Sequence, residues 1–70
     1  MSTAYEIATA KEKLESLKAA RSTIETQLAN IYISEQVWAA LDSAHMLLNE
    51  AVLDARADLA RLQNLAEQSA

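Results

Sequence analysis

The side chains that could do chemistry are few in this 70-residue chain. It has one histidine, His45, and no cysteine, so neither a thiol nucleophile nor a thiolate zinc site can form. Asp54 and Asp58 lie four residues apart, but no Glu-x-x-His motif accompanies them, as a di-metal site between helices would require. We therefore expect no catalytic site, no metal and no cofactor, and we interpret the chain as a non-enzyme.

Apolar side chains form two seams with alternating spacings of three and four residues, and the seams are out of phase with each other. The first runs from Ile7 to Ile31 and the second from Trp38 to Leu62. Such spacing is typical of α-helices that pack along one face. The sequence therefore predicts an all-α antiparallel two-helix hairpin, a single domain over residues 1–70. Helix 1 is expected at about 4–31, the turn at about 30–34 and helix 2 at about 35–67.

The turn contains two residues with capping roles and two that are apolar. Asn30 is expected to take a left-handed conformation near the end of helix 1, and Ser34 is expected to cap helix 2. Tyr32 and Ile33 are unusual in a turn and have two interpretations. Either they close the end of the core beside Trp38, or they form an exposed contact at the tip of the hairpin.

A turn centred near residue 33 places Leu14 opposite Val52 and Arg21 level with His45. Each seam then carries one polar residue, and both lie in the same layer, with Glu25 and Asp42 within reach of them. Polar residues at such positions commonly determine helix register and oligomeric state at some cost in stability. We interpret this layer as structural rather than catalytic.

The apolar face of helix 2 spans an arc of about 160–180°, which is wider than one neighbouring helix can cover. The surplus predicts a homodimer, a four-helix bundle made of two hairpins, with Leu48 and Val52 among its interface residues. The charges at the seam edge agree, because an antiparallel pair would bring the Lys11–Arg56 end of one chain to the Glu25–Asp42 end of the other. The apolar face comprises Val37, Leu41, Ala44, Leu48, Ala51, Val52, Ala55, Leu59 and Leu62, and Leu47 and Leu65 widen one flank.

A separate apolar stripe lies on the opposite face of helix 2 and consists of Ala39, Met46, Leu53 and Ala60. Scattered exposed apolar residues are normal on proteins. The alternative interpretation is a ridge that docks on another protein, where methionine supplies adaptable contacts. The turn residues Tyr32 and Ile33, together with Trp38, form a second candidate contact set for such a partner.

Charge and hydropathy narrow the classes of partner. The net charge is −4 and the isoelectric point is about 4.7, which argues against non-specific binding to nucleic acid. No segment approaches the ~18 consecutive apolar residues of a membrane span, and the N-terminus lacks the layout of a signal peptide. We therefore expect a cytoplasmic protein that binds another protein and no membrane.

In its brevity, acidity and hairpin form, the chain resembles small phage-encoded helical hairpins that inhibit host proteins. This resemblance implies stoichiometric binding that inhibits or redirects a larger protein, such as a host regulator or a defence system. Helix 2 also resembles the second helix of type III secretion needle co-chaperones, which implies a needle-subunit co-chaperone instead. A third alternative is an RNA-binding hairpin dimer of the plasmid copy-control type, although the outer face of helix 1 carries few stacking or cationic groups. The co-chaperone resemblance is carried by the run Ser34-Glu35-Gln36-Val37-Trp38, followed by Leu41, Ala44 and Leu48.

Overall fold

Strong helix formers dominate both halves of the chain, and both halves are helical. In the computed structural model, which describes residues 3–68, α1 spans Thr3–Leu28 and α2 spans Glu35–Gln68. The two helices pack against each other as a hairpin with dimensions of 53 × 16 × 14 Å. The predicted all-α helical hairpin is thus confirmed. Neither α1 nor α2 is long and apolar enough to cross a membrane.

The core of the hairpin is small and lies between the middle parts of the two helices. Leu14 of α1 packs with Val52 and Ala55 of α2, and Leu17 and Leu59 pack against them as partly buried neighbours. Leu14 and Val52 thus belong to one cluster, as a turn near residue 33 predicts. A fully buried apolar side chain contributes about 1.5–3 kcal/mol, so a core of this size leaves one hairpin only marginally stable.

The first helix ends at Leu28 rather than near Ile31. The Asn30 N–H donates to the Gln27 carbonyl at 3.1 Å, and this bond spans three residues instead of the four of an α-helix. The Asn30 Oδ1 accepts the Tyr32 N–H at 2.9 Å. The left-handed conformation expected for Asn30 is wrong, because no residue from 3 to 68 has a positive φ angle. The Asn30 side chain turns the backbone by accepting this hydrogen bond instead.

Ser34 caps the second helix. Its Oγ accepts the Val37 N–H at 3.2 Å, and its carbonyl accepts the Trp38 N–H at 2.9 Å. The side-chain bond satisfies one of the backbone donors that the first turn of a helix leaves free. The capping role predicted for Ser34 is confirmed, and it determines where α2 begins.

Ser34→Ala is expected to lower the free energy of unfolding by about 1 kcal/mol, because the Val37 N–H loses its acceptor. Urea denaturation at a fixed protein concentration, followed by circular dichroism, measures this change. Ser43→Ala is the matched control, because it is the same substitution at an exposed position within α2, away from the ends of the helix. Equal stability of the two variants would contradict the capping role.

Candidate functional site

The tip of the hairpin is apolar and exposed. Tyr32 is 90 % exposed, Ile31 and Val37 are also exposed, and Ile33 is half-buried. Trp38 is 45 % exposed, so part of its ring remains in contact with solvent. The interpretation of these residues as a plug that closes the core is wrong for Tyr32, because α1 ends early and leaves it outside the seam. We refer to Tyr32, Ile33 and Trp38 as the tip.

A second apolar surface runs along one side of α2 and consists of Ala39, Met46, Leu53 and Ala60. Their seven-residue spacing places them in one row, and all four are exposed. Met46 and Leu53, the two large members, are each 62 % exposed. We refer to this row as the ridge.

A third, largely apolar surface lies on the other side of α2 and also follows a seven-residue spacing, which the exposed Asp58 interrupts between Ala51 and Leu65. Val37 and Leu65 are exposed, whereas Ala44 and Ala51 are half-buried. Leu47, which is also exposed, lies beside this row. We refer to Val37, Ala44, Ala51 and Leu65 as the flank strip.

Leu48 and Val52, the two seam residues predicted to lie in the dimer interface, differ in their burial. Val52 is completely buried against α1, so a second copy of the chain has no access to its side chain. Leu48 is half-buried. The assignment of Val52 to a dimer interface is therefore wrong, since this side chain belongs to the core of the single hairpin.

A polar layer crosses the hairpin near its middle. The Arg21 Nη1 donates to the Asn49 Oδ1 at 3.2 Å, and the His45 Nε2 lies 3.0 Å from the Glu25 Oε2. The Asn49 Nδ2 lies 3.5 Å from the His45 Nδ1 and joins the two pairs. In a neutral imidazole this chain of bonds requires the proton on Nε2, which donates to Glu25 while Nδ1 accepts from Asn49.

The predicted layer thus contains Arg21, His45 and Glu25, but its fourth member is Asn49 rather than Asp42. Asn49 lies four residues after His45 on the same face of α2, and this spacing is the sequence signal that could have identified it. The Asp42 carboxylate makes none of the hydrogen bonds that join the layer. These side chains join α1 to α2 at one level of the hairpin.

Arg21→Leu is expected to leave the hairpin folded and its thermal midpoint unchanged or higher. Arg21 occupies a position in an apolar seam, and replacement of buried polar groups by apolar ones often stabilises a fold. Circular dichroism melts and sedimentation equilibrium measure the two expected effects, on stability and on oligomeric state. Arg61→Leu is the control, because Arg61 is exposed and lies outside the layer. Unfolding of Arg21→Leu alone would show that the Arg21–Asn49 bond is required for folding.

Pockets and clusters of metal-binding side chains are two further kinds of site that a function could use. Residues 3–68 form no pocket, and they bring together no group of three or more histidine, aspartate or glutamate side chains that could hold a metal. The remaining candidates for function are the three apolar surfaces and the polar layer.

These features define the class of molecule as an all-α helical hairpin that leaves large apolar side chains on its surface. No protein-family model, no curated protein and no solved structure matches the chain. Its function is therefore argued from the surfaces themselves.

Proposed function

We propose that the chain is a non-enzymatic protein-binding module, which docks on a larger protein with fixed stoichiometry and inhibits or redirects it. The observation that carries the proposal is the exposure of Met46 and Leu53 on the ridge. Burial of such a side chain against a partner contributes about 1.5–3 kcal/mol. The flexible thioether of Met46 also adapts to the shape of a partner's groove.

The tip supports the same function as a second contact set. Tyr32 and Trp38 expose large aromatic surfaces, and aromatic residues commonly dominate binding energy when they fill a pocket on a partner. Ala39, the first residue of the ridge, lies in the same turn of α2 as Trp38, so the tip and the ridge lie close to each other at this end of the hairpin. One partner can therefore contact both surfaces, with the ridge lying along a groove and the tip at its end.

We also propose that the module is a homodimer. Among residues 3–68, the buried apolar side chains are Leu14, Val52 and Ala55, a core that is small even for a domain of this length. A second hairpin would extend this core into a four-helix bundle. In such a bundle each chain would still present its own ridge.

The class of partner follows from the resemblances together with the surfaces. A small acidic hairpin with exposed apolar rows suits a cytoplasmic, phage-encoded inhibitor of a host regulator or defence system. A needle-subunit co-chaperone is the second candidate, because Val37 and Trp38 are exposed directly after the turn. A co-chaperone would bind a secreted subunit without lowering an activity of that subunit, whereas an inhibitor would lower the activity of its target.

The test is affinity capture with the tagged wild-type protein, Met46→Glu and the control Ala19→Glu, followed by native mass spectrometry. Ala19 is exposed on α1, so Ala19→Glu adds the same charge away from the ridge. We expect a complex of fixed ratio with the wild type and the control, and a loss of affinity of about 30-fold with Met46→Glu, equivalent to ~2 kcal/mol. Equal binding by all three proteins would exclude the ridge as the contact surface.

A further inference from the structure

We infer that the flank strip is the face on which a second copy of this chain packs, in an antiparallel orientation with the two-fold axis beside Ala51. The inference rests on the proposed homodimer and specifies its face. This face lies on the side of α2 away from Asp42 and Arg56, so the charge pairing predicted for these residues from the sequence does not form in it. Three observations support the inference: the position of the strip next to the core, the area that the hairpin leaves exposed, and the spacing of residues around Ala51.

The flank strip is continuous with the core, and the ridge is not. On the helical repeat, Ala44 and Ala51 lie beside the seam positions of Leu48 and Ala55, so apolar side chains extend without interruption from the seam to the strip. On the other side of α2, a polar row separates the seam from the ridge. A second hairpin on the flank strip therefore enlarges the existing core and covers one charged position, Asp58, whereas one that extends from the seam to the ridge would bury the whole polar row. The polar row consists of Asp42, Asn49 and Arg56.

The exposed area matches what a dimer of this kind needs. The accessible surface of the chain is 5247 Å², whereas a compact monomer of 7.7 kDa is expected to expose about 4,300 Å². The excess of about 900 Å² belongs to the elongated hairpin as a whole, and it is close to the roughly 800 Å² that each partner buries in a standard interface. A side of the hairpin measures 53 × 16 Å, so its area of about 850 Å² is large enough for such an interface.

The spacing within the strip favours the antiparallel orientation. Val37 lies two heptads before Ala51 and Leu65 lies two heptads after it. A two-fold axis beside Ala51 therefore brings Val37 of each copy against Leu65 of the second copy and Ala51 against its own copy at the centre. Asp58 of each copy then meets the small side chain of Ala44, which keeps the two aspartates apart. A parallel pair would instead place Asp58 of the two copies against each other, and like charges in contact are unfavourable.

The first test is the mass of Ala51→Glu, which places two carboxylates next to each other across the proposed axis. Sedimentation equilibrium at micromolar concentration should give about twice the 7.7 kDa chain mass for the wild type and the single chain mass for the variant. Ala57→Glu is the matched control, because Ala57 is exposed on the other side of α2 and should leave the dimer intact. A monomeric wild type would refute the homodimer itself, whereas a dimeric Ala51→Glu would refute only this face.

The second test is disulfide cross-linking, which does not depend on the stability of Ala51→Glu. The chain contains no cysteine, so each introduced cysteine is the only thiol. Under mild oxidation, an equal mixture of Val37→Cys and Leu65→Cys should form a covalent heterodimer, and Val37→Cys alone should stay largely uncross-linked, since disulfides need Cα atoms within about 7 Å. Rapid cross-linking of Val37→Cys with itself would overturn the antiparallel orientation. Failure of both the mixture and the single variant would overturn the face, while leaving the ridge-dependent capture of a partner unaffected.

Discussion

Val52→Asp is expected to unfold the hairpin, whereas Leu53→Asp, one residue further along α2, is expected to leave it folded. Val52 is 0 % exposed and lies between the two helices, so an aspartate there would bury a carboxylate without a hydrogen-bonding partner. Removal of one side chain from a core of this size is already costly, and a buried charge costs more. Leu53 is 62 % exposed, and its replacement faces water.

Far-UV circular dichroism and urea denaturation measure this contrast. A domain of fewer than about 70–80 residues rarely has more than 3–5 kcal/mol of stability, and an unpaired buried carboxylate exceeds that range. Val52→Asp should therefore lose most of its helical signal at room temperature, and Leu53→Asp should keep it. If both variants stay folded, the core does not lie where Val52 meets Leu14. If both unfold, the ridge contributes to the fold rather than to binding.

The double substitution Tyr32→Ala with Trp38→Ala is expected to weaken partner binding more than any single substitution on the ridge. Each aromatic side chain that fills a partner's pocket contributes about 2 kcal/mol or more, so the pair together should lower affinity by about 1,000-fold if their effects add. Tyr32 is 90 % exposed and Trp38 is 45 % exposed. We therefore expect Tyr32→Ala to leave the thermal midpoint unchanged and Trp38→Ala to lower it slightly.

Titration of the captured partner by isothermal calorimetry, with melts recorded in parallel, separates affinity from folding. Tyr5→Ala is the matched control, because Tyr5 is an exposed aromatic residue at the opposite end of the hairpin. Unchanged affinity in the double variant would restrict the contact surface to the ridge. A large fall in the thermal midpoint with Trp38→Ala alone would show that Trp38 serves the core despite its exposure.

The sequence alone determined the two helices, the faces on which they pack and the approximate level at which the seams meet. Two seams in different phase require a turn between them, and the length of each seam sets the level at which Leu14 meets Val52. The same spacing places Arg21 and His45 in one layer, although Arg21 bonds to Asn49 and His45 to Glu25. Ser34 was recognisable as a cap because the free N–H groups of a first turn select a short side chain with an oxygen acceptor. These features depend on the spacing of residue types along the chain, and a single sequence is enough to show that spacing.

Only the tertiary structure decided which polar and apolar groups end in contact. Asn49 rather than Asp42 completes the polar layer, because Arg21 bonds to the residue one turn beyond His45, whereas Asp42 lies two turns away from Asn49 along the axis of α2. Tyr32 is exposed because the hydrogen bonds of Asn30 end α1 before the seam does. Val52 is inaccessible to a second copy because the two helices close over it. Each of these outcomes depends on how closely α1 and α2 pack and on their offset along the hairpin axis, and periodicity specifies the packing face without specifying that offset.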